Sequence, residues 1–165
     1  MSGIVTTLWA LREGERTLAE ELHLVAERHR DEQEIFHVAR DVARWSRLSA
    51  ERLAAEIKRQ DTGEGAALAP GSVSTCLPSL AEPGVPAEQD EGALLLHDLC
   101  HLHLRASENA LHWEMLAQAA QAARDAQLLE VASAGHPRSL RQMRWTNTMI
   151  KILSPQILTV PTDPP

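Results

Sequence analysis

Four separate segments of this chain repeat apolar residues at alternating steps of three and four, and that rhythm narrows its fold more than any other feature. In the first segment Ile4, Leu8, Leu11, Glu15, Leu18, Leu22, Val25 and His29 fall on one side of a helix. An α-helix turns once in about 3.6 residues, so such a rhythm holds a single face. The second segment repeats the pattern with Ile35, Ala39, Val42, Ser46, Ser49, Leu53 and Ile57. Between the two, Asp31 and Glu34 fit a capping box that opens the second helix after a turn near residues 28–31. The third helix is expected over residues 91–133, with Leu95, Leu99, Leu102, Ala106, Ala110, Trp113, Ala117, Ala120 and Arg124 on one side. Gly135 and Pro137 should punctuate it, because glycine follows helix ends and proline cannot continue them. The fourth carries Leu140, Met143, Asn147, Ile150 and Ser154 inward before Pro155.

Four amphipathic helices bury their stripes together, which predicts an all-α fold, an antiparallel four-helix bundle. Residues 60–92 hold five of the eight glycines and four of the nine prolines without any helical period, so they form a long connection between helices 2 and 3. Neither half has enough amphipathic helices to close a core alone, which makes residues 1–165 one domain; residues 155–165 are expected to be an irregular tail. Trp9, Trp45, Trp113 and Trp145 place one tryptophan on each helix, where packing explains them.

The same sequence excludes several function classes. A formal charge of −7 and the lack of a basic patch argue against nucleic-acid binding, which draws on clustered Lys and Arg. No run of about eighteen apolar residues exists for a membrane span. Cys76 and Cys100 are the only cysteines, and the first twelve residues lack the pattern of a secretory leader, so a cytoplasmic location is expected. Neither thiol has an evident general base, G-E-G at 63–65 is loop composition, and no paired-cysteine zinc pattern occurs. No catalytic residue is assigned, and the balance leans away from an enzyme.

Glu15 is the exception within its stripe, a carboxylate where its neighbours in the repeat are leucines. Burying it costs several kcal/mol without a partner. Arg124, Arg44, Ser46 and Asn147 are the candidate inward partners, and Glu15, Arg124 and Asn147 are the expected buried polar residues. The alternative is a metal ligand projecting into the bundle centre.

Helix 2 opens with E-x-x-H at Glu34 and His37. With four helices and a long crossing between the second and third, the chain resembles the ferritin-like superfamily. The resemblance implies single-Glu ligand roles for Glu15 on helix 1 and Glu108 on helix 3, and an E-x-x-H contribution from Glu34 and His37. Helix 4 departs from that pattern: between Pro137 and Ser154 it has no Asp, Glu or His. At about 100° per residue, His37 also lies opposite the stripe of Ile35, Ala39 and Val42. A ferritin-like fold without a conventional di-iron centre is therefore expected, with no cofactor.

On helix 3, His97, His101, Glu108 and His112 form a second stripe away from Leu99 and Trp113. Leu104, Leu111, Met115, Ala119 and Ala122 lie beside it, so this helix is apolar on two sides. The expectation is a two-fold dimer contact through helix 3, with His97, His101, Leu104, Leu111 and Met115 at the interface and the histidines at its margin. The leading function is assembly or binding of a protein partner. One alternative is an iron-handling or oxidoreductase protein in which Glu15, Glu108, His112 and His37 hold iron or another divalent ion. Another is a small-ligand bundle with Trp45 and Trp113 beside Glu15.

Overall fold

The computed structural model describes residues 3–61 and 90–159. The described residues form four helices: α1 (Gly3–Arg28), α2 (Gln33–Asp61), α3 (Glu91–Ala123) and α4 (Ala126–Leu158). Helix α1 packs on α2 and α3, and α4 packs on α3 and α2. The connection expected between α2 and α3 falls almost wholly in residues 62–89, outside the described residues.

The stripes of α1 and α2 are buried as the spacing predicts, from Leu8 to Val25 and from Ile35 to Ile57. Their turn closes through the His29 N–H on the Val25 carbonyl and the Glu32 N–H on the His29 carbonyl, both at 3.0 Å. The first bond of α2 runs from the Phe36 N–H to the Glu32 carbonyl at 2.9 Å. Glu32 is thus the capping position, and the capping box expected at Asp31 and Glu34 starts one residue too early.

The second half of the chain departs further from expectation. The break between α3 and α4 lies at Arg124 and Asp125, about ten residues before Gly135. Arg124 takes the left-handed conformation with φ 56°, its N–H bonds the Gln121 carbonyl, and the Asp125 N–H bonds the Ala120 carbonyl. This is a Schellman closure, made without the usual glycine. Asp125 then caps α4 by accepting the Leu128 N–H at 3.0 Å. Gly135 serves a different purpose inside α4: a Cβ there would sit 2.4 Å from the Trp113 ring. Pro137 and Pro155 also lie within α4, which runs on to Leu158, so residues 155–158 are helix and not tail. Each proline removes one helical N–H. Beyond Pro155 the helix keeps a packing contact, because Ile157 rests against the backbone at Gly92 in the first turn of α3.

The buried stripe of α4 is Leu128, Ala132, Gly135, Ser139, Gln142, Thr146 and Met149. It is one residue, about 100°, away from the expected stripe of Leu140, Met143, Asn147 and Ile150. Leu140 and Asn147 face solvent in consequence. The apolar pattern misleads here because three of the residues α4 buries are polar, and they are buried for a reason found on the opposing helices.

Candidate functional site: a polar layer at mid-bundle

Among the described residues the core comprises two apolar clusters. One contains Leu18, Leu22, Ala43, Leu102, Ala106 and Met149, the other Leu11, Leu53, Trp113, Leu116 and Ala132. Between them each helix contributes polar or small residues. Helix α1 supplies Gly14 and Glu15, α2 supplies Ser46 and Ser49, α3 supplies Asn109, and α4 supplies Ser139 and Gln142, all of them buried.

Glu15 is the centre of this layer, 2% exposed. Its Oε1 accepts the Trp113 indole N–H at 2.7 Å and the Ser139 hydroxyl at 3.4 Å. Burial pushes its carboxyl up to about 7; hydrogen bonds from Trp113, Ser46 and Ser139 and the positive charge of Arg138 pull the other way without cancelling it. Gln142 donates to the Val42 carbonyl at 3.2 Å and to the Ser46 hydroxyl at 2.8 Å. The Gln142 Oε1 and the Asn109 Nδ2 are buried without hydrogen-bond partners. Two glycines make room for the layer. A Cβ on Gly14 would lie 2.2 Å from the Asn109 Oδ1, as one on Gly135 would collide with Trp113. Chemically, the layer holds one carboxyl that can gain or lose a proton near neutral pH, surrounded by hydroxyl, amide and indole groups.

The residues assigned to metal binding do not meet. Glu15 is committed to Trp113 and Ser139. Glu108 faces Arg105 at 3.4 Å. His37 is exposed and stands edge-on to Phe36, ring centroids 5.1 Å apart. His112 is half-buried, with its Nδ1 unpartnered. Among the described residues no group of three or more His, Cys, Asp or Glu side chains is placed to hold a metal ion. Arg124 and Asn147, expected inside, are both exposed. Arg124 ends α3 at the tip of a turn, and Asn147 follows the rotated face of α4. Of the expected partners of Glu15, only Ser46 reaches it.

Of the interface residues, Leu104, Leu111 and Met115 are exposed by 52, 67 and 51%. His97 is exposed as well, but His101 turns toward α1 and lies 3.2 Å from Glu21.

Among the described residues, three buried carboxylates escaped the sequence reading, and Glu56, held by Arg59 and Gln60, is one of them. Arg105, fully buried, reaches both oxygens of Glu21 at 3.3 Å. Asp98, also fully buried, accepts from Arg28 at 2.9 Å on each oxygen and bonds His29 at 2.8 Å. Glu21 and Asp98 sit three residues from Leu18 and Leu95, and Arg105 three from Leu102, on the flanks of their stripes. A core-facing stripe wider than about 100° covers such positions, and this is the signal that could have found them.

No described helix is long and apolar enough to cross a membrane. Compared with known proteins, the chain matches no family model, no curated protein and no solved structure.

Proposed function

We propose that this chain is a ferritin-like, antiparallel four-helix bundle that works by associating with a second copy of itself, without a conventional di-iron centre. Its helix directions are supported by the order of contacts: Glu15 meets Trp113, Glu21 meets Arg105 and Arg28 meets Asp98, so α3 is met in reverse as α1 advances. With an exposed thiol at Cys100, a reducing cytoplasm is the compartment that suits it.

The observation that carries the assembly is an apolar groove of about 410 Å³ between α3 and α4, lined by Ala110, Leu111, Leu140 and Met143 with Glu114 and His136 beside them. It follows from the rotated stripe of α4, which leaves Leu140 on the surface and Met143 half-buried. A leucine that is 67% exposed beside one that is 43% exposed is apolar surface suited to a partner. A second copy fits by charge. Helix α3 exposes Glu91 and Glu114, whereas α4 exposes Arg141, Arg144 and Lys151 beside a single carboxylate, Glu130. A two-fold axis along the groove sets the acidic helix of each copy against the basic helix of the other.

Sedimentation velocity at high micromolar concentration tests this. The wild type should run as a dimer, and Leu111→Glu or Leu140→Glu as a monomer of unchanged helicity. A monomeric wild type, or dimers in both variants, would overturn the proposal.

A further inference from the structure

Glu15 carries an inference independent of self-association, because it breaks a pattern that the other buried carboxylates keep. Among the described residues four carboxylates are buried: Glu15, Glu21, Glu56 and Asp98. Three of them meet an arginine directly. Arg105 reaches Glu21 at 3.3 Å, Arg59 reaches Glu56 at 2.9 and 3.0 Å, and Arg28 reaches Asp98 at 2.9 Å. Glu15 is met by neutral donors instead: Trp113 from α3, Ser139 from α4 and Ser46 from α2. A protonated carboxyl is at ease in such surroundings, whereas a buried carboxylate without a counter-charge is strongly disfavoured.

The missing arginine has a candidate next to Ser139. Arg138 is half-buried on α4, and its Nη1 is buried without a hydrogen-bond partner. A guanidinium N–H withheld from both water and a protein acceptor is costly, so this position calls for an acceptor. The positive charge of Arg138 already acts on Glu15. The cations beside Glu15 on α1 are placed differently. Arg12, whose Nε is also buried without a partner, holds its guanidinium 5.3 Å over the Trp9 ring, and the exposed Arg16 bonds Glu13 at 3.3 Å.

While Glu15 holds its proton it needs no counter-charge, and Arg138 rests on the flank of its helix. When that proton passes to solvent, an anion remains at the bundle centre, inside the field of a long, jointed side chain with a donor to spare. A rotamer change of one arginine then turns a hydrogen-bonded layer into an ion pair between α1 and α4, helices that face each other diagonally. We propose that Arg138 is the counter-ion of ionised Glu15, drawn from the flank of α4 into the polar layer when the proton leaves, so that the layer works as a proton-operated switch tying α4 to α1.

Carboxyl ¹³C NMR of the full chain from pH 5 to pH 9 tests it, with the titration of Glu15 followed in the wild type, Arg138→Met, Arg138→Lys and Arg12→Met. Loss of the counter-charge in Arg138→Met should move the Glu15 midpoint upward by about one pH unit or more. Arg138→Lys, which keeps the charge, should recover part of that shift, and Arg12→Met should leave the midpoint in place. A second readout needs no change at Arg138: its guanidinium ¹⁵N resonance should follow the titration of Glu15 in the wild type and lose that step in Glu15→Gln. A Glu15 midpoint unmoved in Arg138→Met, no recovery in Arg138→Lys, or an equal rise in Arg12→Met would overturn the proposal. So would an Arg138 resonance that does not respond to Glu15.

Discussion

The indole N–H of Trp113 donates to Glu15 at 2.7 Å, joining the largest fully buried side chain among the described residues to the carboxylate lodged between two apolar clusters. The bond needs Gly135 on α4, because no Cβ fits beside that ring. Three helices are therefore set against one another by one polar contact.

Glu15 makes stability depend on pH. Its carboxyl is raised from 4.5 to about 7, so the folded state holds a proton that the unfolded chain releases. The contribution is fully present below pH 4.5 and is lost as pH rises through about 7. That difference corresponds to about 3 kcal/mol. Urea denaturation from pH 5 to pH 8 should show wild-type stability falling relative to Glu15→Gln. Parallel profiles for the two proteins would remove Glu15 as the cause.

Gly135→Ala should destabilise although alanine is the better helix former. The gain in propensity is about 1 kcal/mol. Against it stands a Cβ placed 2.4 Å from the Trp113 ring, an overpacking that costs about 1–3 kcal/mol and shifts the indole off Glu15. A lower melting temperature with altered tryptophan fluorescence is the expected result; a higher one would place Trp113 elsewhere.

The Glu21–Arg105 pair should respond asymmetrically to substitution. Arg105→Met leaves Glu21 buried with His101 still beside it, and should cost up to about 3–5 kcal/mol. Adding Glu21→Leu should restore much of that loss, since two apolar side chains need no compensation there. Chemical denaturation of both variants and of Glu21→Leu alone closes the cycle, and simple additivity would argue against a coupled pair.

Arg124→Gly should stabilise the protein. An L-residue in the left-handed region costs about 1–2 kcal/mol, partly offset by glycine's greater freedom when unfolded. A net gain of about 0.5–1 kcal/mol should appear in thermal unfolding. A loss would mean that the exposed Arg124 side chain does more than end α3.

The early helices were legible because their stripes are mostly apolar, so period alone found Leu8 to Val25 and Ile35 to Ile57. The α3–α4 break was not, because it rests on an arginine in a conformation that favours glycine, while the glycine and proline that mark breaks lie inside α4. The candidate site was half legible. Glu15 stood out as a carboxylate among leucines, but its partners Trp113 and Ser139 are 98 and 124 residues away along the chain. Nothing local marks Ser139 as inward.

By itself the sequence determined that this chain is helical, that it has four amphipathic segments, and that one of them buries a carboxylate. Those properties follow from spacing along a single helix, which local geometry fixes. Only the tertiary structure decided which face of α4 turns inward, and hence that Ser139 and Gln142 are buried while Leu140 lies on the surface. The physical reason is that burying a polar side chain costs much less where another helix offers it a hydrogen bond. Such an offer, from Glu15, Ser46 and the Val42 carbonyl, exists only once the helices have met.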